Sequence, residues 1–478
     1  MDASRQPATN VKASQTSVAR TEPPAIFQPL HEQITLAMQH HGVPGVALGI
    51  LHDGQEHTAG FGATNASYPS PVLPETLFQI GSITKTLTAT AILRLVERGE
   101  LDLDVPVRTY LPDLRLADES VAVRVTLRHL LTHTAGFEGD LALTIKTGRG
   151  DDALAQFVAR MSEISQQSPL GDLWAYNNAG FYLAGRVIER VTGKPYETAV
   201  TELVLAPLGM THASFFPEEV MLGSFAVGHN VAADSVEVAR PWAIPRNANA
   251  AGGLVTTTGD LLRYARFSMG DGTAADGARI LSRASLDAMQ TPAYKADEGR
   301  WVGLAWYIRP IDGVPVIGHD GGTIGQIARL RFIPARGFAL ALLTNANTGS
   351  ELVDEVTTWA LKHYLGLEEP ERVHLPRTPE QLAAYAGRYS GTFSTIDMVV
   401  RDGGFIAERH DTERVRHLYD TPPPPEPPSP VAFFAEDQIV ATEGPLKGAT
   451  GDFLRGPDGA LVWLRIGGRL FRREPRAS

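Results

Sequence analysis

Cysteine is missing from the 478-residue sequence. Its absence excludes disulfides, thiolate metal ligands and cysteine nucleophiles, so covalent catalysis by this chain would need an oxygen or nitrogen atom. Positive charge is in deficit, with 43 Lys and Arg against 54 Asp and Glu and a formal net charge of −11. No basic stripe interrupts this pattern, and a nucleic-acid partner is therefore not expected. No apolar run in the sequence is long enough to span a membrane.

The composition is that of a globular chain with several structural units. Apolar residues make up 43% of it, enough for at least one large core, and the length favours two or three domains. We predict a disordered tail at 1–25, a main domain at 26–366, a linker at 367–379 and a smaller domain at 380–478. The polar tail holds no signal-peptide core. This predicts a cytoplasmic protein if the chain is complete, and a periplasmic or secreted one if a leader has been removed.

Hydrophobic periodicity divides the main domain into helices and strands. A helix is expected at 26–41, a β-hairpin with an Asp-Gly turn at 46–61 and a second helix at 82–98. Residues 103–220 lack strand alternation and are predicted to form an all-helical subdomain. The elements expected after them are strands at 302–308, 314–318, 326–333 and 338–344 and a helix at 351–365. Together they predict an α/β (α+β) fold in which helices pack against an antiparallel sheet.

Short strands with Gly and Asp-Gly turns dominate the smaller domain, a pattern typical of a small barrel or sandwich. The proline-rich run at 422–430 is expected to be an extended loop, because proline cannot donate to a strand ladder. Strands are expected at 385–393, 397–400, 405–409, 431–434, 438–440, 453–455, 461–466 and 470–473.

The sequence Ser82-Ile-Thr-Lys85 carries the strongest chemical signal. Residues three apart share one face of a helix, so the lysine nitrogen can reach the serine oxygen. Only seven of the 43 basic residues are lysine, and Lys85 alone among them has a serine three positions before it. An ammonium group can be tuned towards neutrality and a guanidinium cannot, so Lys85 suits the role of a base for Ser82. The alternative is a helix-capping serine followed by a solvated lysine.

A second segment with site chemistry is Tyr176-Asn177-Asn178, directly before a helix predicted at 178–192. Next to a lysine, a phenolate is stabilised, and Tyr176 could then accept the serine proton and pass it to a leaving group. The alternative is a packed tyrosine beside a capping asparagine.

A third segment, His319-Asp320-Gly321-Gly322, is predicted as a loop between a strand and a hairpin. Its glycines would let a substrate approach the strand edge, and the N–H of Gly322 could join that of Ser82 in an oxyanion hole. The alternative for His319 is an ordinary surface histidine.

These three segments follow the order S-x-x-K, Y-x-N and [KH]-x-G, in which the chain resembles the superfamily of class C β-lactamases, DD-peptidases, D-aminopeptidases and related esterases. The resemblance covers about 27–365 and extends to the flanking phrases at 126–136, 207–211, 251–260 and 318–323. It implies a β-lactamase-like fold, with the site between the sheet and the helical subdomain. It also implies that Ser82 is acylated, Lys85 and Tyr176 move protons, Asn178 positions the substrate, and the amides of Ser82 and Gly322 bind the oxyanion.

The third motif departs from β-lactamases and most DD-peptidases, which carry lysine where this chain has His319. An unperturbed histidine pKa of about 6.5 leaves that side chain mostly neutral at pH 7, so anchoring of a substrate carboxylate is expected to be weak. D-aminopeptidases resemble the chain here, and they also append small barrels, so a lipocalin-like barrel is expected at the C-terminus. The expected activity is a peptidase or aminopeptidase-type amidohydrolysis of small peptides or D-amino acid derivatives. The alternatives are a carboxylesterase, a weak β-lactamase and a catalytically silent binding or scaffold protein.

No cofactor and no metal are expected. His40, His41, His129 and His133 show no convincing ligand spacing, and the sequence has neither a zincin helix nor a G-x-S-x-G elbow. The expected partner is a small-molecule or short-peptide substrate. The sequence leaves the oligomeric state open, a homo-oligomer included.

Overall fold

The computed structural model describes residues 23–140, 145, 147–297, 299–370, 372–416 and 426–475. Of the tail predicted at 1–25, only 23–25 lie within these ranges. The proline-rich run predicted at 422–430 is described from 426 onward, and its last two residues begin a strand, Ser429–Ala435, so the loop predicted there is wrong at its end. No helix within them is long and apolar enough to cross a bilayer.

Eleven of the fourteen α-helices of the described residues lie before residue 291. The first follows a 3₁₀ turn at Ala25–Phe27, begins at Gln28 and is capped after His41 by Gly42, whose φ of 65° is a left-handed conformation that suits glycine. Within the described ranges the helices are α1 (Gln28–His41), α2 (Thr84–Glu97), α3 (Glu119–Ala122), α4 (Leu127–Leu131), α5 (Ala153–Ala159), α6 (Asn178–Thr192), α7 (Tyr196–Val200), α8 (Pro217–Val220), α9 (Asn249–Gly252), α10 (Thr258–Met269), α11 (Arg283–Gln290), α12 (Gly349–Leu365), α13 (Pro379–Tyr385) and α14 (Glu413–Arg416).

The strands form one large sheet, two small hairpin-sized sheets and a barrel. The described strands are β1 (Gly45–His52), β2 (Gln55–Gly62), β3 (Phe78–Gln79), β4 (His229–Ala232), β5 (Ser235–Val238), β6 (Val255–Thr256), β7 (Tyr294–Asp297), β8 (Arg300–Val302), β9 (Tyr307–Ile311), β10 (Val314–Thr323), β11 (Gln326–Ile333), β12 (Phe338–Thr344), β13 (Gly387–Ser390), β14 (Ser394–Arg401), β15 (Gly404–Asp411), β16 (Ser429–Ala435), β17 (Gln438–Ala441), β18 (Thr450–Arg455), β19 (Leu461–Ile466) and β20 (Arg469–Arg473).

The large sheet is antiparallel throughout, in the order β2-β1-β12-β11-β10-β9-β8-β7. Strands from the two ends of the main domain meet in it, since β1 pairs with β12. Every residue of β1 and β12 is buried, because α1 and α12 cover one face and α10 packs on the other. The predicted Asp-Gly turn is confirmed, with φ of 49° at Asp53 and 74° at Gly54. The predicted antiparallel sheet with flanking helices is therefore confirmed.

Two predictions in this sheet are wrong. The strand expected at 302–308 is two strands, β8 and β9, because Ala305 adopts a left-handed φ of 68° between them. The loop expected at 319–322 belongs to β10, which pairs with β11 as far as Thr323. Strand β9 pairs with β10 only up to Gly318, so β9 does not cover the edge of the segment that follows.

Residues 103–140, 145 and 147–220 contain helices and turns and no strand, as their lack of alternation predicted. The chain after α13 forms a closed barrel, in which β13 to β20 pair in sequence and β20 returns to β13. This confirms the barrel, and its core is rich in aromatic side chains. The strand predicted at 385–393 is wrong at its start, because Thr378 caps α13 and holds Tyr385 in a helix.

Candidate active site

Ser82 lies in a tight 3₁₀ turn, Gly81–Ile83, immediately before α2. The Lys85 side chain is fully buried, and its Nζ donates to Ser82 Oγ at 3.0 Å and to the carbonyl oxygen of Ala251 at 2.8 Å. Burial lowers the pKa of Lys85 well below its usual range, because an ammonium group loses hydration there. The alternative of a solvated lysine beside a capping serine is therefore wrong.

Tyr176 is partly buried beside this pair, with Lys85 Nζ 4.9 Å from the centroid of its ring. Burial raises the pKa of Tyr176, while a hydrogen bond with Ser82 opposes that shift. The resting arrangement is thus a protonated phenol next to a lysine that gives up its proton easily. Such a pair can accept a proton from a serine and donate one to a leaving group.

The segment that holds Tyr176 separates the roles of its two asparagines. Asn177 caps α6, because its side-chain oxygen accepts from Gly180 N–H at 2.8 Å. Asn178 does not cap the helix, and its Nδ2 donates to Asp140 Oδ1 at 2.8 Å. The capping asparagine of the alternative interpretation is therefore Asn177. Asn178 instead lines the same cavity as Ser82.

His319 is buried and its pKa is lowered to about 3, first by burial and second by the nearby Lys85. Its Nδ1–H donates to the Asp320 carbonyl oxygen at 2.5 Å. The side chain is therefore neutral at pH 7, as expected, but neither a surface residue nor a group that titrates near pH 6.5.

Gly321 and Gly322 lie against the turn that carries Ser82. A Cβ placed on Gly321 would lie 3.1 Å from Ser82 N and 1.8 Å from the Ile80 carbonyl oxygen, so only glycine fits there. A Cβ on Gly81 would lie 2.6 Å from Gly322 N. The backbones that were predicted to supply the two oxyanion donors are therefore adjacent.

Three residues that the sequence did not single out for the site also belong to it. His133 accepts from Asn177 N–H at 3.0 Å and stacks on the Tyr176 ring with 4.6 Å between centroids. Asp140 bonds Asn178, and Arg469 of the barrel forms an ion pair with Asp140 at 2.7 Å. His133 lies in a phrase that resembles the superfamily, but neither Asp140 nor Arg469 is marked by any pattern.

Most of the residues described above line one cavity of about 730 Å³. Lys85 is not part of its wall and lies behind Ser82. The predicted site residues that line the cavity are Ser82, Tyr176, Asn178, His319, Gly321 and Gly322.

The described residues hold one group with the geometry of metal ligands, formed by His40, His41 and Glu355. The ligand atoms lie within 4.8 Å of one another where α1 meets α12. This group does not line the cavity of Ser82.

Comparison with known proteins gives the relatives of this arrangement. The model of the family described as Beta-lactamase matches residues 30–364. Penicillin-binding protein 4 of Amycolatopsis lactamdurans is 36% identical over 363 residues, which are 74% of this chain and 94% of that protein. Esterase EstB of Burkholderia gladioli is 36% identical over 190 residues, 37% of this chain and 48% of its own length.

Solved structures agree with this relationship, and some of them extend over the barrel. SurE with D-Leu is 25% identical with a TM-score of 0.70, over 94% of this chain and 100% of that one. The octameric penicillin-binding protein homologue from Pyrococcus abyssi is 25% identical with a TM-score of 0.62, over 93% and 98%. D-amino acid amidase from Ochrobactrum anthropi SV3, complexed with L-phenylalanine amide, is 27% identical with a TM-score of 0.59, over 70% and 99%.

Proposed function

The chain belongs to the Beta-lactamase family and is a serine hydrolase of amide or ester bonds, and on that premise we propose that Ser82 is the residue that becomes acylated. One observation carries the proposal: the buried Lys85 Nζ lies 3.0 Å from Ser82 Oγ, with Tyr176 beside both. A buried lysine with a lowered pKa beside a serine is typical of catalytic sites, which favours an enzyme over a catalytically silent scaffold.

In the proposed acylation, Ser82 Oγ forms a bond to the substrate carbonyl carbon while its proton passes to Lys85 Nζ. The developing oxyanion accepts hydrogen bonds from the N–H groups of Ser82 and Gly322. The bond to the leaving nitrogen or oxygen then breaks as the Tyr176 phenol gives that atom its proton. Lys85 returns a proton to the phenolate, and water attacks the ester by the same steps in reverse.

We infer that the substrates are small peptides or D-amino acid derivatives with a neutral or blocked carboxyl end. The neutral His319 offers no charge to a carboxylate. D-amino acid amidase and SurE with D-Leu are similar to this chain, which supports a D-amino acid derivative. A carboxylesterase is the second candidate, favoured by the likeness to esterase EstB and by the same neutral histidine.

Covalent labelling tests the assignment of the nucleophile. A fluorophosphonate should add once to the wild-type chain and not to Ser82→Ala, as read by intact-mass spectrometry. Ser350→Ala is a matched control, because Ser350 is an exposed serine that lines the same cavity, and it should still be labelled. An adduct that persists on Ser82→Ala would overturn the proposal.

A substrate panel tests the finer inference. D- and L-amino acid amides, p-nitrophenyl esters and a chromogenic cephalosporin should be compared by kcat/KM. D-amides are expected to exceed the cephalosporin, and a preference for the cephalosporin would contradict the inference. The octameric relative supports a homo-oligomer, which light scattering of the purified chain would test.

A further inference from the structure

The barrel contributes one charged side chain, Arg469, to the wall of the cavity that Ser82 lines. Gly467 and Gly468 form the turn between β19 and β20 with φ of 56° and 76°, and Arg469 follows them as the first residue of β20. Gly467 and Arg469 both line the cavity. A side chain at Gly468 would collide with Trp174 and Tyr176, since a Cβ there would lie 2.9 Å and 3.1 Å from them, so this turn fits closely against the main domain.

Arg469 makes two kinds of contact with the site. Its Nε and Nη2 donate to the two carboxylate oxygens of Asp140, at 2.7 and 3.2 Å, and Asp140 in turn accepts from Asn178. Its guanidinium carbon also lies 4.5 Å from the centroid of the Tyr176 ring. The backbone adds a third tie between the two parts of the chain, because Tyr176 N–H donates to the Gly468 carbonyl oxygen at 2.8 Å.

Among the described residues, the other titratable groups around Tyr176 and Lys85 are uncharged or already paired. Burial lowers the pKa values of His133 and His319 and raises that of Tyr307, so all three are uncharged at pH 7. The remaining charged groups on the neighbouring strands pair with one another: Arg300 with Asp297, and Arg329 and Arg331 with Asp320. Asp140 and Arg469 are thus the charges that bear most directly on the site.

We propose that Arg469 and Asp140 are a positioning pair of the Ser82 site, through which the barrel orients Tyr176 and Asn178 and sets the pH range in which acylation occurs. The proposal rests on the proposed function, since it assumes that Lys85 and Tyr176 move the proton of Ser82. It assigns the barrel a part in the active site.

Arg469 and Asp140 shift the pKa values of Lys85 and Tyr176 in opposite directions. Arg469 lowers the pKa values of Lys85 and Tyr176, because a cation disfavours the ammonium and favours the phenolate. Asp140 raises both pKa values for the converse reason. Without Arg469, Lys85 should therefore stay protonated to a higher pH, and the acidic limb of kcat/KM should move up. Without the charge of Asp140 the limb should move down.

The test is the pH dependence of kcat/KM for p-nitrophenyl acetate, a substrate without a charge of its own. Arg469→Gln should move the acidic limb upward by about 0.5 to 1 pH unit and Asp140→Asn should move it downward, as expected for charges several ångströms away in a partly buried site. The double variant should return towards the wild-type limb. Arg469→Lys keeps the charge and should largely restore the wild-type profile.

Arg465→Lys is the matched control for barrel docking. Arg465 lies on β19, pairs with Asp452 and donates to the Trp174 carbonyl oxygen at 2.8 Å, but it does not line the cavity. Its variant should leave the limb in place. A shift of Arg469→Gln and Asp140→Asn in the same direction, or no shift in either, would overturn the proposal. Should Arg469→Gln fail to fold, Asp140→Asn and Arg469→Lys still decide it, while hydrolysis by Ser82→Ala would refute the proposed nucleophile instead.

Discussion

Replacement of Lys85 by arginine separates proton transfer from positive charge. Arginine keeps the charge but does not release a proton at any pH that the protein survives. Its guanidinium is also larger than the ammonium, in a pocket where Nζ already has Ser82 Oγ at 3.0 Å and the Ala251 oxygen at 2.8 Å. Lys85→Arg should therefore be nearly as inactive as Lys85→Met, which has a similar length and no charge.

The size of the loss follows from the role of a general base. A positioned base contributes about 10²- to 10⁴-fold to the rate, equivalent to roughly 3–5 kcal/mol of activation free energy. Forcing a larger group into a packed site costs about 1–3 kcal/mol more in stability. The arginine variant should accordingly lose at least about a hundredfold in acylation rate and also unfold at a lower urea concentration.

Stopped-flow acylation by p-nitrophenyl acetate measures the rate, and urea unfolding measures the stability. The free energy of unfolding of the wild type itself depends on pH. Since burial lowers the pKa of Lys85, the unfolded chain binds more protons between the folded and unfolded values, so wild-type stability rises with pH in that window. Lys85→Met should thus be more stable than wild type at pH 7, by a margin that shrinks towards pH 10.5. Acylation of Lys85→Arg within threefold of wild type would refute the assignment of Lys85 as base.

Three other substitutions have expected outcomes. Gly321→Ala should lower acylation about 10²- to 10³-fold, the cost of one oxyanion donor, because its Cβ would lie 1.8 Å from the Ile80 carbonyl oxygen and would push the two backbones apart. Gly322→Ala is the control, because its Cβ would meet only a side-chain carbon at 3.5 Å. Equal losses of acylation rate in the two variants would contradict this prediction. His319→Lys should raise kcat/KM about ten- to a hundredfold for a carboxylate substrate but not for its methyl ester, and equal effects on both would show that residue 319 does not face the carboxylate. Arg465→Met should lower the free energy of unfolding by about 3–5 kcal/mol, because Asp452 would remain buried without its partner, and a change below about 1 kcal/mol in urea unfolding would contradict this.

Local patterns predicted the parts of the site that depend on local geometry. Ser82 and Lys85 are three residues apart, and one turn of helix is enough to bring them together. The strands β11 and β12 have the predicted bounds, because β11 alternates between buried and half-buried residues, β12 is almost wholly apolar, and a Gly-bearing turn separates them. The strand character of His319 was missed, since Asp-Gly-Gly is typical of a turn. There the pairing with β11 outweighs local preference, as tertiary context often does in sheets.

The charged pair that joins the barrel to the site could not be predicted in this way. Asp140 and Arg469 are 329 residues apart, and Arg469 is one of 36 arginines in the chain. Nothing in its neighbourhood distinguishes it, because a Gly-Gly turn before a strand is ordinary in a small barrel. Only the docking of the barrel selects that turn, through the Tyr176 N–H and the ion pair. Since a helical spacing can place a nucleophile beside its base but cannot bring a distant charge to them, the pH range of such a site depends on contacts that only the folded chain reveals.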